Sequence, residues 1–537
     1  MRRLSKLAPL LAAAMVLAAC GSDDDGGGTS EGGGGASAGE PQAGGEMTVL
    51  EDTAFTGSWP AGLDPATNTT GGANLPMMQS IYGGLFLLRS DDDGSNAAVE
   101  GNQAESGELS EDGTVFTVKL REGIEFSDGT PMDAEAVKLN WERALASPCT
   151  CKPTWPLAPD GIAVVDPTTL TLTFTQPYAA VSASFPTSNV NWIASPTALE
   201  KQGPDDFKIN PVGAGPFKVV SNQLSSELVL EKNETYFEEG QPYLDKLTFQ
   251  SIGGDQAAYQ ALQAGQAQAY EGLNTTPLLE QAQDNDQLQV SIQAATSPYV
   301  IQLNTKTGPF TDPKAREAIY AATDFEAINE GIFGGRYEVS QGFTAPGGLF
   351  YEQEVDGYPE FDPDHAKELV DELGGLTVKL GTISNYVATQ INTALQTQWE
   401  EAGIDVEIED YQLSTLIQQF TGGQWQAMLQ TAGAWDPASG VGVGFRFGSR
   451  SPFSGVSDPE LDQLLADAAS SIDEDERGDL YQQAAELIAS KFYAPFGLAF
   501  APANISVKGV HGPGLTTVIP AALVNSQVIW DEVWMEQ

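Results

Sequence analysis

The chain has 537 residues, 41% of them hydrophobic and 9% aromatic, material for about two to four packed domains. Against 74 Asp and Glu stand only 25 Lys and Arg, a formal charge of −49 that excludes nucleic acid as a partner, because phosphate binding needs clustered cations. Two histidines (His365, His511) and three cysteines (Cys20, Cys149, Cys151) exclude a His-rich zinc or iron centre.

The first element is an address. Arg2, Arg3 and Lys6 precede an apolar run over 7–19, short of the roughly 20 residues that cross a bilayer. This pattern predicts a signal peptide over 1–19. The run ends in Leu17-Ala18-Ala19-Cys20, which resembles the bacterial lipobox, so Cys20 is the expected point of lipid attachment. Residues 21–46 contain no aromatic or branched aliphatic side chain and cannot build a core, so 20–46 is expected to be a lipidated, disordered tether. Such a Gly-rich coil spans about 25–30 Å. The expectation is an exported body held at the outer face of the cell membrane, or its periplasmic side, by two acyl chains on Cys20. Outside the cell disulfides persist, and Cys149 and Cys151 are a candidate pair, though a C-x-C ring is tight.

The body opens with a strand at 47–50. Period-two alternation predicts strands at 114–120 (Phe116, Val118 and Leu120 on one face), 168–175 (Leu170, Leu172, Phe174), 227–232 and 244–250. Asp133 can cap a helix carrying Val137, Trp141 and Leu145 on one stripe, and 257–264 and 314–322 also read as helices. The stretch 376–430 is regular: strand 376–382, helix 386–403, strand 404–410, helix 414–421, strand 425–430. Strands alternating with helices predict βαβ units in a parallel or mixed sheet. Two amphipathic helices, 459–471 and 475–492, follow. After residue 19 no apolar run is long enough for a membrane span.

Motifs of catalysis are missing. There is no G-x-x-x-x-G-K-[ST], no G-x-S-x-G and no H-E-x-x-H. Gly213-Ala214-Gly215-Pro216 begins like a dinucleotide fingerprint, but the third glycine is absent and Pro216 lacks the N–H a phosphate would use; a turn into a strand at 217–220 fits better. Asp91-Asp92-Asp93-Gly94 lacks the alternate spacing of a calcium loop and reads as a solvated turn. The expectation is a non-enzyme without cofactor or metal.

Certain blocks carry a family likeness. Leu63-Asp64-Pro65 and Ile81-Tyr82-Gly83-Gly84-Leu85-Phe86 come first, followed by the long block 112–131, DGTVFTVKLREGIEFSDGTP. Asn210-Pro211-Val212-Gly213-Ala214-Gly215-Pro216-Phe217, Leu262-Gln263-Ala264-Gly265 and Asp312-Pro313-Lys314-Ala315-Arg316-Glu317-Ala318-Ile319 continue the series. Asp362-Pro363-Asp364-His365-Ala366-Lys367-Glu368-Leu369 and Glu476-Arg477-Gly478-Asp479-Leu480-Tyr481 complete it. Across about 47–515 the chain resembles the extracellular solute-binding proteins of family 5, the dipeptide, oligopeptide and nickel receptors of ABC importers. The resemblance implies an α/β, periplasmic-binding-protein-like two-lobe (Venus flytrap) fold of type II, with an extra subdomain in lobe one. Lobe one would take 47–89, 209–296 and a C-terminal return, 498–537. The extra subdomain would be 90–208 and lobe two 297–497. Solute would lie between the lobes and close them.

In the peptide-binding branch an acidic residue of lobe two pairs with the peptide amino terminus. The matching loop here is Gly433-Ala434-Trp435-Asp436-Pro437, which assigns that role to Asp436 and a flanking wall to Trp435; an Asp-Pro turn is the plainer alternative. Asn385 and Tyr386 open a helix whose free N–H groups could hold a carboxylate, or Asn385 is simply a cap. Phe55, just after the first strand, lines the cleft or joins the core. Arg446, one of ten arginines, offers a bidentate fork to a ligand carboxylate unless an acid of the chain takes it. The expected partners are a peptide or other small solute, an ABC permease with its ATPase subunits, and the membrane through the lipid anchor. The chain is expected to be a monomer. Alternatives on the same frame are a sugar or metal-chelate receptor, or a surface sensor without transport.

Overall fold

The computed structural model describes residues 39–52, 59, 62–67, 74–147, 152–383, 385–411, 413–431, 433–439, 442–520 and 527–537. Cys20, Phe55, Cys149 and Cys151 lie outside the described residues, as does the expected signal peptide. The chain divides into Met1–Glu40 and Pro41–Gln537, and three sheets organise the second unit.

Strand β1 (Glu46–Asp52) leads to helix α1 (Leu75–Tyr82), which is buried along its whole length. The chain then builds a four-stranded antiparallel sheet from β2 (Ala104–Leu109), β3 (Val115–Leu120), β4 (Leu157–Asp166) and β5 (Thr169–Phe174), in the order β2-β3-β5-β4. Phe116, Val118 and Leu120 bury against Leu170, Leu172 and Phe174, the faces that alternation marks out. Helix α2 (Ala134–Ala146) covers them; the Asp133 carboxylate accepts from the Ala136 amide, and Val137 and Trp141 face inward.

The return passes through Gly213-Ala214-Gly215. A Cβ on Gly213 would stand 2.3 Å from the Ile81 carbonyl oxygen, and one on Gly215 2.5 Å from the Gly83 nitrogen. The turn is glycine-rich so that two backbones can touch, and no phosphate is needed to explain it. Strands β6 (Phe217–Gln223), β7 (Glu227–Lys232) and β8 (Lys246–Ile252), helix α3 (Asp255–Gln263), strand β9 (Ala269–Leu273), helix α4 (Thr276–Gln283) and strand β10 (Leu288–Ile292) complete this passage through lobe one.

Lobe two follows. Strand β11 (Tyr299–Leu303) and helices α5 (Pro313–Ala321) and α6 (Pro363–Leu373) precede the regular stretch of strand β12 (Leu376–Ile383), helix α7 (Tyr386–Glu401), strand β13 (Ile404–Tyr411), helix α8 (Leu413–Gly422) and strand β14 (Ala427–Thr431). The sheet order is β11-β14-β12-β13; β12 runs parallel to β13 and β14, and β11 runs antiparallel to β14. Leu376, Val378 and Leu380 pack on one face against Val387, Ile391, Leu395 and Trp399 of α7. Met428 packs on the other face with Phe420, Trp425 and Phe453. Helices α9 (Val443–Phe447), α10 (Pro459–Ser470) and α11 (Glu474–Ser490) close the lobe.

Strand β15 (Ala503–Val507) re-enters lobe one, whose sheet reads β10-β15-β9-β1-β8-β7-β6 with β1 parallel to both β8 and β9. The two crossings, at 293–298 and 497–502, run side by side. The Gln293 amide donates to the Pro502 carbonyl at 3.0 Å, and the Gly497 amide to the Tyr299 carbonyl at 2.9 Å. The chain thus passes between the lobes at two hydrogen-bonded, antiparallel crossings.

Candidate ligand-binding site

The register fixes which sheet edges face the crossings. Leu273, the carboxyl end of β9, pairs with Ala503, where the chain arrives from lobe two. Because β1 and β8 run parallel to β9, the carboxyl ends of all three point toward lobe two. In lobe two Thr431, the carboxyl end of β14, pairs with Tyr299, where the chain arrives from lobe one. The carboxyl ends of β12, β13 and β14 therefore point back. Open α/β sheets bind ligands outside such edges, and here two of them confront each other.

On the lobe-two side, Asn385 caps α7 by accepting from the Ala388 amide at 2.9 Å, so its carbonyl oxygen is engaged. Tyr386 is half-buried and packs against the lobe-two core. Trp435 is half-buried, and its carbonyl accepts from the Leu349 amide. Beside it Asp436 is 2% exposed, and both of its oxygens accept from Nη2 of Arg477 at 3.0 Å. Its Oδ1 also accepts from the Ala438 amide at 2.9 Å. The carboxylate expected to meet a ligand ammonium is thus already paired with a buried guanidinium of its own lobe. Burial alone would lower the Arg477 pKa, but Asp436 outweighs it and holds the group above its ordinary value. Arg477 also lies over the Phe350 ring, 4.9 Å from its centroid.

Arg446 differs. Its Nη1 donates to the Gln430 side-chain oxygen, and Gln430 is bonded in turn to Gln302. Gln302 Nε2 is anchored on the carbonyls of Arg446 and Phe453 at 2.6 and 2.9 Å. This chain of amides ties Arg446, on α9, to Gln430, one residue from the carboxyl end of β14. The Arg446 Nε is buried with no hydrogen-bond partner. Burial pushes the guanidinium down to about 10, and no carboxylate of the described residues counters the shift. In a chain with 74 acids, this cation is left without one among the described residues.

On the lobe-one side the edge is acidic. Glu51, next to last in β1, is 9% exposed; burial first and Asp52 second push its carboxyl up to about 8. Asp255 accepts the Tyr270 hydroxyl at 2.6 Å and the amides of Asn274 and Thr275. Sequence reasoning passed over Glu51, yet a signal was there: Met47, Val49 and Glu51 share a strand face, and the pattern reserves the third position for an apolar residue.

The lobes also touch at their margins. Arg336 Nη2 of lobe two lies 3.5 Å from Glu280 Oε1 on α4. The Tyr178 hydroxyl of the extra subdomain donates to the Ala438 carbonyl at 3.2 Å, and Gln176 Nε2 to Ser470 Oγ at 3.3 Å. Among the described residues no cluster of three His, Cys, Asp or Glu is arranged to hold a metal ion, and no helix is long and apolar enough to cross a membrane.

Residues 98–450 match the bacterial extracellular solute-binding proteins, family 5 (middle). The glutathione-binding protein GsiB of Shigella flexneri is 29% identical over 434 residues, 76% of this chain and 81% of that one. Its counterpart from Salmonella paratyphi A is 31% identical over 340 residues, 62% of this chain and 64% of that one. Among solved structures, DppA of Helicobacter pylori in complex with the peptide STSA superposes with a TM-score of 0.77 at 22% identity, covering 92% of this chain and 99% of that one. OppA of Haemophilus influenzae in complex with a nonapeptide, RPPGFSPFR, does so with a TM-score of 0.75 at 18% identity, covering 92% and 100%. At these identities the likeness is one of fold: the two-lobe, type II α/β architecture.

Proposed function

This chain belongs to the bacterial extracellular solute-binding proteins of family 5, and on that premise we propose that its solute is a peptide-like compound carrying a free carboxylate, delivered to an ABC permease. Arg446 carries the proposal. A half-buried arginine whose Nε–H is withdrawn from water and unpartnered, on a scaffold of amides that bring no negative charge, is set up to receive an anion. It stands at a strand edge facing the opposite lobe, where a solute lies. The curated relatives bind glutathione by name, and solved neighbours hold peptides; both ligands present carboxylates. The Phe445 ring supplies apolar surface beside it, 5.3 Å from the guanidinium carbon to the ring centroid. The role first assigned to Asp436 passes elsewhere, because Arg477 occupies both of its oxygens.

In the same reading Cys20 carries the lipid that holds the protein outside the membrane, the protein works as a monomer, and closure on solute presents both lobes to the permease, where ATP is spent on a different chain. Calorimetry with glutathione, tri-alanine and Ser-Thr-Ser-Ala, each also as its carboxyl amide, tests the proposal. Amidation and Arg446→Gln should each weaken binding by roughly ten- to a hundredfold, the range of a charge-assisted hydrogen bond. Equal affinity for acid and amide removes Arg446 from the site. Binding of a neutral sugar in place of every peptide would make Trp435 a stacking surface and the protein a sugar receptor.

A further inference from the structure

Three parallel strands, β8, β1 and β9, end side by side in lobe one. Their register sets Glu51 directly beside Ser251, while Leu50 opposite Tyr270 brings Glu271 to the other flank. The Oε1 of Glu51 is buried without a hydrogen-bond partner, and so is the Oγ of Ser251. A carboxyl oxygen and a hydroxyl, register neighbours, are both withdrawn from water and unmet by the protein. Such groups cost stability unless something else meets them. Asp52 adds negative charge beside Glu51, and Tyr270 spends its hydroxyl on Asp255. This corner is acidic and incompletely satisfied, and it lies at the carboxyl edge of the strands, the edge that points toward lobe two.

We infer that Glu51, with Ser251 beside it, forms the subsite for a cationic group of the solute, a primary ammonium or a guanidinium. The inference rests on reading Arg446 as the carboxylate end. A solute with both charges then spans the cleft, its cation on lobe one and its anion on lobe two. Neither lobe alone satisfies it, so a solute held at both ends bridges the two lobes. With no cation present, burial and Asp52 keep the Glu51 carboxyl protonated at neutral pH. An arriving ammonium favours the carboxylate and expels that proton to solvent.

The test is calorimetry at pH 7 in two buffers of different ionisation enthalpy. The probes are tri-alanine and Ser-Thr-Ser-Ala, free and N-acetylated, on wild type, Glu51→Gln and Ser251→Ala. Acetylation and Glu51→Gln should each weaken binding on the order of a hundredfold, since each leaves one member of a buried pair alone, and the two losses should not add. Ser251→Ala should lose less. Wild type should release about one proton per peptide and Glu51→Gln none. Should Glu51→Gln fail to fold, the acetylation loss and the proton count on wild type decide alone. Peptide binding that depends on Arg446 but is indifferent to acetylation and to Glu51→Gln, with no proton released, overturns this inference and leaves the peptide reading standing. Absence of any peptide binding to wild type overturns both.

Discussion

Asp436→Asn separates a structural carboxylate from a ligand-binding one. In the wild type Asp436 and Arg477 have side-chain exposures of 2% and 7% and are joined by two hydrogen bonds of 3.0 Å. The asparagine keeps the size and one acceptor, so Arg477 retains a hydrogen bond but loses its counter-charge. Arg477 Nε is fixed on the Ala468 carbonyl at 3.2 Å and its plane is held over Phe350, so it cannot swing out to water. A buried charge left alone in this way costs about 3–5 kcal/mol. Urea unfolding followed by tryptophan fluorescence should place the midpoint of the variant well below that of wild type. Asp436→Asn with Arg477→Met removes both charges and should recover much of the loss, because the pair together gains little over apolar packing. Ligand affinity of the single variant, measured below its unfolding transition, should change less than stability does. The opposite pattern, a loss of under about 1 kcal/mol in stability with a hundredfold loss in affinity, would refute the reasoning and return Asp436 to the ligand.

Two further outcomes are expected. Glu51 is raised from 4.5 to about 8 and Asp531 from 3.8 to about 6, the first by burial and Asp52, the second by burial and Glu532. Both hold protons in the folded state that the unfolded chain has released, so their stabilising effect is full below about pH 4 and is lost as pH rises through 6 and then 8. Glu51→Gln should therefore flatten the upper part of the stability–pH curve measured by thermal melting. Cys20→Ala should move the protein from membrane to soluble fractions without altering solute affinity; unchanged partitioning would remove the lipid anchor from the account.

Much of the fold was legible because its elements obey local rules. The strand expected at 227–232 is β7 to the residue, the helix expected at 386–403 is α7 ending two residues earlier, and Asp133 caps α2 as its position suggests. These depend on alternation, capping and the reach of a few residues. The site was less legible because its chemistry is made by distant partners. Asp436 looks like an available acid until Arg477, 41 positions away, is folded onto it. Arg446 looks like one more cation in an acidic chain, and only packing reveals that Gln302 and Gln430, from two strands, have taken the place of an acid. Glu51 was visible as a break in pattern, but its meaning depends on Ser251, 200 residues later, lying beside it.

The paired crossings act as the spine of a book. Rotation about a spine moves points in proportion to their distance from it, so groups near it keep their spacing while the outer margins travel furthest. The strand that carries Glu51 is separated from β15, a spine strand, only by β9, and Gln302, which orients Arg446, sits on β11, the other strand that crosses. The two subsites proposed above therefore lie where the pages scarcely part. Tyr178 and Ala438 join the extra subdomain to lobe two outside those crossings. On the proposal made above, a solute is recognised by its charges before the covers meet, and the outer contacts are left to hold the closed form.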